Sequence, residues 1–69
     1  MSIINTENSA VIRMGKAQIV LEDVFRDRPP QTTAEVVTAV LRVSTRYSLP
    51  FRCYRLVEDW ALQRYGGES

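Results

Sequence analysis

The side chains able to do chemistry in this chain are few, and they are not of the catalytic kind. Among 69 residues there is no histidine and one cysteine, Cys53. A Ser–His–acid or Cys–His arrangement therefore lacks its base, and no Gly-rich phosphate-cradling run is present. One thiol without histidine cannot supply the four ligands of a structural zinc site, nor close an intrachain disulfide. A chain this short also leaves little room for a substrate-sized pocket. The residues point away from an enzyme and from any metal, cofactor or small-molecule substrate. Cys53 reads as an inert, buried thiol.

What remains is arginine. The stretch "RVSTRYSLPFRCYRLVEDW", residues 42–60, places Arg42, Arg46, Arg52 and Arg55 ahead of its first acid, Glu58. Net charge is only +1, but it is unevenly spread. Residues 1–41 hold four basic and five acidic side chains, a balance of −1, whereas residues 42–69 hold five arginines against three acids, a balance of +2. Local clustering of one sign matters more for binding than the total. Arginine can fork onto guanine or hold a phosphate. Alongside aromatic residues it is equally at home in protein–protein hot spots. The candidate binding residues are thus Arg42, Arg46, Phe51, Arg52 and Arg55, and the target is DNA or a partner protein. A plainer reading makes the arginines a solvated face with i,i+4 pairs such as Arg55–Asp59. Glu22, Asp23 and Asp27 are interleaved with Arg26 and Arg28 and read as an ordinary exposed face.

The elements that must position these residues follow from apolar spacing. Ala17, Val20, Leu21, Val24 and Phe25 form one stripe of an amphipathic helix. Its start is open: Ser9 could cap a helix from Ala10, with Gly15 inside it at a cost of about 1 kcal/mol. Alternatively "AVIRM" is a short arm or strand, as in a ribbon-helix-helix, and Gly15 a turn. The two prolines of "DRPPQ" stop the helix. Thr32-Thr33-Ala34-Glu35 is a capping box opening a second helix, whose Val36, Val40, Val43 and Tyr47 share a face. Ser48 can cap a third helix with Pro50 in its first turn, and Gly66-Gly67 can end it in a left-handed turn. Leu56, Trp60, Cys53, Val57, Ala61, Tyr54 and Tyr65 give this helix an apolar arc of about half its circumference. Tyr54, Val57, Trp60 and Tyr65 are the expected core or dimer anchors. The fold class is all-α: three helices at about 10/16–27, 33–47 and 49–65. Residues 1–9 read as a flexible lead-in, 10–66 as one domain and 67–69 as a tail.

From Val40 onward the chain resembles the helix-turn-helix family of bacterial DNA-binding domains. Ser44 stands where the family wants a small residue at the helix crossing, Ser48 at the turn and Leu49 as the apolar residue after it. Val43, Tyr47, Tyr54 and Val57 match the inward positions. The resemblance covers about twenty residues at the level of pattern. It implies a recognition helix with Phe51, Arg52 and Arg55 facing outward near its N-terminus, and Arg42 and Arg46 on the phosphates. Ser48 departs from the usual glycine, and Glu58 and Asp59 would repel phosphate if they faced it.

A chain of this length buries only about 60% of its unfolded surface. With no disulfide or metal to help, a homodimer is expected. No apolar run approaches the roughly 20 residues of a membrane span, and no secretory signal is evident, so a cytoplasmic protein is expected. The functional expectation is a small regulatory binding protein gripping DNA with its third helix. The alternative is an interaction module that modulates a host protein. Very short cofactor-free chains of both kinds are common among phage and plasmid regulators and inhibitors.

Overall fold

The computed structural model describes the backbone of residues 6–66 and the side chains of residues 9–66. It consists of three helices: α1, Thr6–Asp27; α2, Thr33–Arg46; and α3, Phe51–Tyr65. No strand is present among the described residues, so the all-α, three-helix class holds. The open state of residues 10–15 resolves as helix, because α1 runs unbroken from Thr6 through Gly15. Residues 1–5 of the expected lead-in and the tail at 67–69 lie outside the described residues.

Each helix buries part of the stripe that its spacing marks; in α1, Val20 is half-buried and Val24 exposed. Ala17, Leu21 and Phe25 of α1, Val36, Val40 and Val43 of α2, and Val57 and Ala61 of α3 form one core. Val20, Tyr47, Leu49, Tyr54, Trp60 and Tyr65 pack against it while half-exposed. The core is built mainly of valine and alanine, small side chains that let the helices approach closely but bury modest area. All three pairs of helices touch, and α2 with α3 makes the most extensive contact.

Local hydrogen bonds set the ends. The Thr32 hydroxyl accepts from the Glu35 N–H at 3.1 Å, as a capping residue should. The Glu35 carboxylate reaches back to the Gln31 N–H at 2.8 Å, one residue beyond the cap itself. The end of α2 is a complete Schellman turn. Leu49 N–H donates to Ser44 C=O at 2.9 Å and Ser48 N–H to Thr45 C=O at 3.1 Å. Ser48 supplies the left-handed residue that such a turn requires, with φ 54°, the one non-glycine positive φ among the described residues.

Several local expectations need correction. Ser48 does not cap α3; it is consumed in closing α2, and Pro50 holds the N-cap position with no side-chain bond. Accordingly α3 starts at Phe51 rather than residue 49. At the far end Gly66, the C-cap of α3, has φ −88° and is not itself left-handed, while Gly67, the other half of the expected stop, lies outside the described residues. A Cβ at Gly66 would lie 2.9 Å from the Leu62 carbonyl oxygen, so close approach is what suits glycine. Leu56, assigned to the apolar arc of α3, is 54% exposed. The arc is wider than the core it meets, and Cys53, Val57 and Ala61 take the buried share.

Candidate functional site

The Schellman turn decides what α3 displays. With Leu49 folded back onto the core, the chain enters α3 through Pro50 in extended backbone, and Phe51 and Arg52 emerge as its first two residues. Phe51 is 71% exposed, and Arg52 and Arg55 are also exposed. Arg55 lies over the Phe51 ring, its guanidinium carbon 5.9 Å from the centroid. Pro50, Phe51, Arg52, Arg55 and Leu56 line one open groove at this end of the helix. No acid occupies the first turn of α3, so its free N–H groups and the positive end of its dipole add to the arginines.

Acidic residues follow, but one of them is already engaged. The Tyr54 hydroxyl donates to Glu58 Oε2 at 3.1 Å. Arg55 Nε approaches Glu58 Oε1 at 3.5 Å. Burial, then the hydrogen bond to Glu58 and its charge, raises the Tyr54 hydroxyl above its ordinary pKa of 10.0, with Arg55 acting in the opposite sense. The charge of Glu58 is thus spent on the body of the helix. Arg55 pairs with Glu58 at i+3, not with Asp59 at i+4 as the spacing suggested; Asp59 remains exposed.

The other two arginines of the cluster sit elsewhere. Arg42 and Arg46 line a groove between α1 and α2, together with Arg28, and share no groove with Arg52 or Arg55. The structure therefore divides the five candidate residues into an α3 group (Phe51, Arg52, Arg55) and an α2 group (Arg42, Arg46).

The anchors fall as follows. Val57 is fully buried. Tyr65 stacks at a tilt on Phe25 with centroids 4.7 Å apart, and Trp60 meets Tyr65 edge-on at 5.9 Å. Arg64 lies over both Trp60 and Tyr65 and reaches Glu22 of α1 at 3.9 Å. Tyr65 on Phe25 and Arg64 on Glu22 thus fasten the end of α3 to α1, with Trp60 packed against Tyr65 and the core. Cys53 is buried. Among the described residues no group of His, Cys, Asp and Glu could hold a metal ion, and no helix is long and apolar enough to cross a membrane.

One contributor has no signature in the sequence. Arg13 of α1 donates from Nη1 to the carbonyls of Tyr47 at 2.9 Å and Ser48 at 2.8 Å. It ties α1 to the turn that presents α3. Its partners are backbone oxygens more than thirty residues away, which no side-chain pattern could announce. Comparison with protein-family models, curated proteins and solved structures finds no match.

Proposed function

We propose that this chain is a small DNA-binding regulator of helix-turn-helix type that lays α3 into a groove of the duplex. The observation that supports the reading is the turn. Ser48 adopts the left-handed geometry usual for glycine there, Ser44 is buried, and Leu49 is tucked onto the core. That leaves Phe51, Arg52 and Arg55 outward at the helix N-terminus, where base contacts are made. In this reading Arg52 and Arg55 read bases or hold phosphate, and Phe51 offers an apolar face to a thymine methyl.

The test is binding to mixed genomic DNA fragments across a salt series, for wild type and Arg52→Glu/Arg55→Glu. Wild type should bind at low ionic strength, and the loss of two cationic contacts should lower the log–log salt slope by about 2. Absence of any salt-sensitive binding sinks the reading. Binding whose affinity and salt slope the double substitution leaves unchanged means α3 is not the contacting helix.

A second reading has its own support. Phe51, Leu56 (54% exposed) and Leu41 (52%) are large apolar side chains in adjoining grooves around the turn. Such a patch beside arginines also suits a protein partner. In that case the same face modulates another protein, and DNA binding is absent.

A homodimer fits either reading. Ile12 and Ile19, seven residues apart on one side of α1, are each about 60% exposed and could meet their counterparts across a two-fold axis. Light scattering at micromolar concentration should return twice the chain mass; a monomer mass removes this part of the proposal.

A further inference from the structure

The groove between α1 and α2 is separate from the α3 face, and its chemistry is different. It is an open groove of about 570 Å3. Val20, Val24 and Ala39 contribute an apolar floor, on which Val24 is 44% exposed. Arg28, Arg42 and Arg46 stand along it, all exposed and pairing with no acid among the described residues. The one acid in the lining is Glu35, and its carboxylate already accepts the Gln31 N–H. The groove is therefore apolar at its base and cationic along its sides.

From this we infer that the α1/α2 groove docks an acidic amphipathic helix of another protein, its apolar stripe on Val20 and Val24 and its flanking carboxylates on Arg28, Arg42 and Arg46. The inference does not depend on whether α3 binds DNA. A helix fits because ridges on two packed helices leave a channel that a third helix can fill. Charge selects the class of helix. A second copy seated groove to groove would bring three arginines against three more, and like charges facing each other oppose association. This chain's own helices do not offer the complement either: α1 mixes Asp23 and Asp27 with Arg26, and α3 mixes Glu58 and Asp59 with Arg55 and Arg64. A phosphate backbone would satisfy the guanidinium groups but leave the apolar floor facing water.

The test is selection, on the full chain, from a displayed library of helical peptides of about 16 residues, about 24 Å at 1.5 Å per residue. The peptides share a fixed apolar stripe and have freely varied flanks. Enriched peptides should carry Asp and Glu in the flanks. Arg42→Glu/Arg46→Glu should weaken them at least about tenfold and shift enrichment toward Lys and Arg. Arg42→Gln/Arg46→Gln, with its melting curve checked against wild type, gives the same weakening without charge reversal and covers misfolding of the first variant. No enrichment, no charge bias, or binders indifferent to both variants overturns the inference. So does a dimer that Val24→Glu dissociates, since the groove then takes a second copy. Loss of salt-sensitive DNA binding in the Gln variant, with peptide selection unchanged, also overturns it, because the arginines then serve phosphate.

Discussion

Ser48 carries a φ of 54° in a position where the missing Cβ of glycine is the usual solution. For an L-residue that conformation costs about 1–2 kcal/mol, whereas glycine there gives up part of the gain in chain entropy. Ser48→Gly should therefore stabilise the protein by about 0.5–1 kcal/mol and raise Tm by a few degrees. Thermal unfolding checks this, and a lower Tm would show that the turn is not left-handed. Four residues earlier, Ser44 is buried with its hydroxyl unpartnered among the described residues. The roles of both serines came from the helix-turn-helix resemblance, which wants a small residue at the crossing and a turn residue four later; local reading alone made Ser48 a cap of α3, which it is not. The division of the arginines was not legible in the sequence. Arg42 and Arg46 lie on α2 and Arg52 and Arg55 on α3, and closeness in sequence says nothing of which groove each helix lines.

At the scale of elements, periodicity carried the reading furthest where one face meets one core. The stripe of α2 is buried as spaced at Val36, Val40 and Val43, whereas α1 buries Ala17, Leu21 and Phe25 of its stripe and leaves Val24 exposed, with Ile12 and Ile19 exposed as well. For α3 the arc exceeds the core, so a helical wheel cannot choose which part is covered, and Leu56 is left outside. The first helix was obscured by Gly15, which lies inside α1 with nothing within 4 Å of a would-be Cβ. Its helical cost of about 1 kcal/mol is met by the rest of the 22-residue helix rather than by packing at that site. Arg13 adds a tie on the same stretch. Arg13→Met keeps the apolar stem but removes both bonds to the turn. It should cost about 1–2 kcal/mol, at the low end for charged hydrogen bonds because one of the two is exposed. Urea unfolding measures the loss, and amide exchange at Ser48 and Leu49 should quicken with it. Unchanged stability would mean that the latch does not hold in solution.

The whole molecule is a small valine–alanine core that holds two separate charged faces in place. One is the N-terminal end of α3, with Phe51, Arg52 and Arg55; the other is the α1/α2 groove, with Arg28, Arg42 and Arg46. A net charge of +1 conceals both. The central claim is that the turn at Ser48 delivers the first of these faces to duplex DNA. Amide chemical shifts recorded while duplex fragments are added at low salt test it residue by residue. Movement should concentrate at residues 50–56 and vanish as salt is raised. An unmoved spectrum, or shifts confined to the surroundings of Arg28, Arg42 and Arg46, would contradict it.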